Sequence, residues 1–167
     1  GRSGVLWGSL DTTPSVSTVP RWFFNQVTPY QVHAKLGHYN SLIWVTSLVD
    51  GKPIEGANVE IFSGTLTGLT ENRSIKASAH TSATGIAVLP GLEKLDPELR
   101  LLNQWDRVDN RLFVRVQKGD DLAVLPIHYE FSAYTHGTYP DNQKKYGHVK
   151  AWGTTAQGVY RAGDNID

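Results

Sequence analysis

The residues best suited to acid–base or metal chemistry are six histidines: His33, His38, His80, His128, His136 and His148. No two stand at the spacing of a compact site on one helix, such as H-E-x-x-H. His33 and His80 fall on the polar side of alternating segments, where an imidazole is expected to be exposed or structural rather than a ligand. Asp120 and Asp121 are adjacent carboxylates, but neighbours on a strand point to opposite faces and do not converge on one reacting atom. The run Lys118-Gly119-Asp120-Asp121 suits a hairpin turn instead. The chain contains no Cys, which excludes disulfides, a thiol nucleophile and thiolate metal sites. It has no G-x-S-x-G elbow and no phosphate-binding glycine loop. Nucleophile, base and orienting group cannot be assembled at meaningful spacing. No catalytic, cofactor-binding or metal residue is therefore assigned, no cofactor is expected, and the chain reads as a non-enzyme.

Two further features could bear function. Asn72-Arg73-Ser74 matches the N-glycosylation triplet, which matters only on a eukaryotic secretory route. Tyr129, Phe131, Tyr134 and Tyr139 form an aromatic cluster. Such rings on a β-sandwich can stack on sugars or anchor a protein partner, or can pack against a neighbouring domain. They are the candidate partner contacts.

Composition narrows the classes. The 167 residues carry 16 Lys+Arg against 16 Asp+Glu, so the surplus positive charge that a phosphate-backbone binder needs is missing. The 40% apolar content is that of a globular chain. No run approaches the ~20 apolar residues of a membrane span, so direct membrane insertion is not expected. The length suits one domain, or one domain with parts of its neighbours. The chain opens on Gly1-Arg2-Ser3-Gly4 and stops at Asp167, and is expected to be a piece of a longer protein whose leader would lie upstream.

The elements that must position these residues are β-strands. Residues 5–20 are rich in Ser, Thr and Pro and read as an extended linker or the frayed end of a preceding domain. Trp22-Phe23-Phe24 can form a short strand. Tyr30, Val32, Ala34 and Leu36 alternate with Gln31, His33 and Lys35, the period of a half-buried strand. Residues 41–49 are apolar on both faces, which predicts a central strand covered on both sides with Trp44 as core anchor. Asp50-Gly51-Lys52-Pro53 is turn chemistry. Alternation resumes around Val59 and Ile61, Ile75 to Ala79, Ile86 to Leu89, Leu112 to Val116, and Leu122 to Ile127. One short helix is predicted over 97–104, capped by Asp96, with Pro97 at its first position. About seven short strands with almost no helix predict an immunoglobulin- or fibronectin type III-like β-sandwich. Residues 1–28 would be lead-in, 29–128 the sandwich, and 129–167 a linker with the first strand of the next domain.

Three stretches carry a family resemblance. They are residues 41–48 (SLIWVTSL) continued by 50–59 (DGKPIEGANV), residues 112–123 (LFVRVQKGDDLA), and residues 151–164 (AWGTTAQGVYRAGD). In this order they resemble bacterial α2-macroglobulin-like proteins. The third is the most specific, because it is similar to the Tyr-Arg-x-Gly-acid turn that opens a macroglobulin domain, here Tyr160-Arg161-Ala162-Gly163-Asp164. The resemblance covers roughly residues 22–167. It departs at Ser82-Ala83-Thr84-Gly85, where an acidic turn is usual and only the Gly is kept.

This resemblance implies a macroglobulin domain of a broad-spectrum protease inhibitor. In that family a protease cuts a bait region and the molecule collapses around it. A thioester may then link the two, but no thioester residue lies in this stretch. The implied partners are proteases, neighbouring macroglobulin domains and, in some members, a penicillin-binding protein. The implied location is the periplasm, with a lipid anchor at the inner membrane. The rival reading is an envelope binding module that uses the 129–139 aromatics on a carbohydrate or a protein.

Overall fold

The fold was analysed in a computed structural model, which describes residues 3–10, 12–14, 21–65, 69, 73–98, 100, 101 and 111–127. In chain order the strands are β1 (Gly4–Leu10), β2 (Arg21–Val27), β3 (Tyr30–Leu36), β4 (Asn40–Ser47), β5 (Asn58–Gly64), β6 (Ser74–His80) and β7 (Ile86–Pro90). A single helical turn, α1 (Leu92–Leu95), precedes β8 (Arg111–Lys118) and β9 (Asp121–Ile127). One sheet has the order β3-β4-β7 and a second has the order β6-β5-β8-β9. Among the described residues, β1 and β2 pair only with each other. Every pairing is antiparallel. The seven strands of the two larger sheets form a three-plus-four sandwich of fibronectin type III kind, and the hairpin brings the strands among the described residues to nine.

Alternation builds the core. Ile43 and Val45 of β4, with Ala87 and Leu89 of β7, face inward and meet Val59, Ile61, Leu112, Val114 and Val116 from the second sheet. Each fully buried aliphatic side chain contributes roughly 1.5–3 kcal/mol. Glycine is needed where the chain turns into this core. Gly85 sits at φ +76°, and a Cβ there would lie 2.5 Å from the Val45 carbonyl oxygen. Gly91 lies against the β3–β4 hairpin, where a Cβ would fall 2.1 Å from the His38 oxygen.

Four expectations change. Trp44 is not a core anchor: it is 44% exposed, while Ile43 and Val45 on either side are fully buried. The cause is register, since Ser41, Ile43 and Val45 share the inward side and leave Leu42 and Trp44 outward. β4 is central in its sheet, but only its inner face is well covered. Leu48 and Val49 lie beyond its end, in a turn.

Residues 4–10, expected as linker, form β1, which pairs with β2 from Gly4↔Val27 to Leu10↔Arg21. Val5 and Phe24 face the sandwich together and pack on Phe62, Phe113 and Val124, which gives both strands an apolar face to bury.

The helix lies earlier than predicted. Leu92–Leu95 is helical, with Gly91 as N-cap and Asp96 at its C-terminal end. Asp96 still caps backbone: its carboxylate accepts the N–H groups of Arg100 and Leu101 at 3.0 and 2.9 Å. Those residues are in turns, and residues 102–104 lie outside the described set. Finally, Phe62 and Phe113, at positions that alternate with the core, are themselves fully buried, because the hairpin covers the outer face of the second sheet.

Candidate functional site

Among the described residues, the candidate chemical residues lie apart from one another. His33 on β3 stacks on Trp44 across the β3–β4 ladder, with ring centroids 5.4 Å apart and planes at 29°. His38, in the β3–β4 turn, lies edge-on to Tyr39 at 4.5 Å and has its Nε2 4.0 Å from a carboxylate oxygen of Glu93. His80 ends β6 and is exposed. His128, His136 and His148 lie outside the described residues, as do Asn72 and the aromatic cluster Tyr129, Phe131, Tyr134 and Tyr139. Among the described residues, no three His, Asp or Glu side chains are grouped to hold a metal ion.

Asp120 sits in the β8–β9 turn and Asp121 opens β9. The Asp121 carboxylate accepts a hydrogen bond from the Ser3 hydroxyl at 2.7 Å, tying the start of β1 to β9. Tyr30 lies near this corner, and its hydroxyl donates to the Lys118 carbonyl at 3.4 Å. Burial, and then the Asp121 charge, push the Tyr30 phenol above its ordinary value. In the β4–β5 turn Lys52 pairs with Asp50 at 2.8 Å. Hydrogen bonds from Lys52 and then Ser47 hold the Asp50 carboxyl down at about 2. These carboxylates act locally on turns and junctions.

One polar cluster sits on the outer face of the second sheet. Oε2 of Glu60 receives Arg73 at 3.2 Å and Arg115 at 3.4 Å, while Oε1 accepts from the Asn58 amide at 3.2 Å. Glu60 and Arg115 are direct cross-strand partners, and the Arg73 guanidinium also lies 5.9 Å from the centre of the Phe62 ring. Two guanidiniums share one carboxylate, so the cluster keeps one net positive charge, and the Glu60–Arg115 pair clamps β5 to β8. Beside it, Phe62 and Phe113 stack at 5.3 Å under the β1–β2 hairpin.

Among the described residues, two exposed faces carry apolar side chains. The outer face of the β3-β4-β7 sheet presents Leu42 and Trp44, and Val88 lies opposite Leu42. His33 and Lys35 flank them from β3. The hairpin is apolar on both sides: Val5 and Phe24 pack inward, while Leu6, Leu10 and Val27 are 63–67% exposed. Exposed apolar side chains grouped in this way suit contact with other macromolecules. Alternation marks these residues as one-sided, but it does not show which side stays open, so the sequence alone did not single them out.

Two of the three resemblance stretches form sandwich elements. Residues 41–59 run from β4 into β5, and residues 112–123 make the β8–β9 hairpin; residues 151–164 lie outside the described set. No family model matches the sequence, and no curated protein does. Two solved structures share the fold. One is native alpha-2-macroglobulin from Escherichia coli spanning domains NIE-MG1, with a TM-score of 0.52 and 14% identity, covering 75% of this chain and 50% of that one. The other is the same protein spanning domains MG0-NIE-MG1, with a TM-score of 0.52 and 15% identity, covering 75% of this chain and 34% of that one. The chain therefore spans half of the first and about a third of the second.

Proposed function

We propose that this chain is an architectural part of a bacterial α2-macroglobulin-like protease inhibitor. The observation that carries the reading is the fold shared with Escherichia coli alpha-2-macroglobulin over 75% of the chain. The resemblance stretches that build β4, β5, β8 and β9 support it. The open apolar faces support it too, because a module set between neighbours has more than one face to cover.

In this reading the chain catalyses nothing itself. Its rigid sandwich holds adjoining macroglobulin domains in place and passes strain between them when a protease cuts a bait region elsewhere. The targets are proteases, the location is the periplasm, and the whole protein is lipid-anchored to the inner membrane. Cysteine is absent, so any thioester belongs to another part of the parent protein.

The test is controlled proteolysis of the full-length protein, followed by small-angle scattering and a protease-protection assay. Compaction on cleavage, with the bound protease shielded, is the expected result. A protein that is cut without changing shape and shields no protease would refute the proposal.

A further inference from the structure

The two larger sheets have four edges, and among the described residues three carry interruptions. On β9, Pro126 has no N–H to offer, and the edge-facing Val124 N–H is taken by the Gln26 side-chain oxygen at 3.0 Å. On β6, the register passes from Ile61↔Ala77 to Phe62↔Ile75, leaving Lys76 unpaired in a bulge. A bulged lysine is an edge-blocking device. On β7, Pro90 lacks an N–H, and the Ile86 carbonyl already accepts from Ser82 at 2.9 Å.

The edge of β3 differs. The Leu48 N–H bonds to the Pro29 carbonyl at 2.8 Å, and Gln31, His33 and Lys35 continue that series opposite Thr46, Trp44 and Leu42. Antiparallel bonding alternates, so Val32, Ala34 and Leu36 turn their N–H and C=O groups away from β4. Tyr30 belongs to the same outward series, and its N–H is met by the Thr28 hydroxyl at 3.2 Å. No strand among the described residues pairs with this edge. Its inward side chains are also incompletely covered: Tyr30 is buried, Val32 and Leu36 are half-buried, and Ala34 is exposed. The seam is closed beside Tyr30 and opens along β3.

Charge states what would fit. The outward side chains of this sheet include Gln31, His33, Lys35, Leu42, Trp44 and Val88, with no carboxylate on β3, β4 or β7. We propose that the edge of β3 accepts an extended strand of a separate polypeptide, with apolar side chains at alternate positions and acidic ones between. The apolar side chains cover Val32, Ala34 and Leu36 in the seam. The acidic ones lie beside Lys35 on the outer face. Main-chain bonds hold such a strand and the alternating side chains select it. This inference does not depend on the inhibitor reading.

Amide exchange on the whole chain tests it, with the capped peptide Val-Glu-Val-Glu-Val-Glu-Val as probe and its Val-Lys counterpart as control. Without peptide, Val32, Ala34 and Leu36 exchange freely while His33 and Lys35 are protected. The acidic probe slows the first three about tenfold or more, saturably, whereas the basic one does not. Ala34→Pro leaves the β4 ladder intact, because that N–H faces outward, and abolishes the protection. Lys35→Glu transfers the preference to the basic peptide, and this comparison decides the matter if Ala34→Pro does not fold. The proposal is overturned if Val32, Ala34 and Leu36 are already protected in the chain alone, which would mean that its own polypeptide fills the edge. It is also overturned if the acidic peptide protects nothing, if folded Ala34→Pro binds it equally well, or if Lys35→Glu leaves the preference unchanged.

Discussion

Ile43 and Trp44 are neighbours in sequence with opposite fates, and size did not decide between them. The larger side chain lies on the sheet's outer face against His33, and the smaller is fully buried. Truncation should separate them. Ile43→Ala should cost roughly 2–5 kcal/mol, as large-to-small changes in a packed core do. Trp44→Ala should cost about 1 kcal/mol or less, because only a partly solvated stacking contact is lost. Urea denaturation of the two variants checks the order, and a larger loss for Trp44→Ala would contradict the described register. Alternation at residues 41–49 was legible as two apolar faces. Which face would be covered was not, because that depends on strands distant in sequence.

At the scale of elements, the β1–β2 hairpin was hardest to foresee. Its first strand is a Gly-, Ser- and Leu-containing segment beside a Ser/Thr/Pro-rich run, which reads locally as linker. What makes it a strand is its fit to an external surface: Val5 and Phe24 pack on Phe62, Phe113 and Val124, and Gln26 meets the Val124 amide. Gln26→Ala should free that amide to exchange faster and should destabilise the fold by about 1 kcal/mol, the net worth of one hydrogen bond. An unchanged exchange rate at Val124 would show that the hairpin does not guard this edge. By contrast, β3, β8 and β9 were legible as strands, because their alternation and the Lys118-Gly119-Asp120 turn are local features. The helix shifted because Asp96 can cap a turn that does not continue as a helix. A capping residue identifies where backbone N–H groups need an acceptor, not how far a helix extends.

For the molecule as a whole, the second sheet is covered on both sides, by the first sheet within and by the hairpin without. Phe113 links these layers, since it sits on β8 and stacks on Phe62 beneath the hairpin. Phe113→Ala should cost roughly 3–5 kcal/mol. It should also accelerate amide exchange in β1, β2 and β8 together. Loosening of β8 with an undisturbed hairpin would show that the two fold as separate units.

The sequence by itself determined the class of structure: an all-β chain with turns at Asp50-Gly51 and Lys118-Gly119, and no thiol chemistry. These follow from residue type and from periods of two residues, which are local. The tertiary structure decided which alternating face is core, that β1 is a strand, and that Phe62 and Phe113 share a second apolar cluster. It also decided which sheet edge no described strand pairs with. Each of those depends on which surface arrives opposite a segment, and that is set by contacts between residues far apart in the chain.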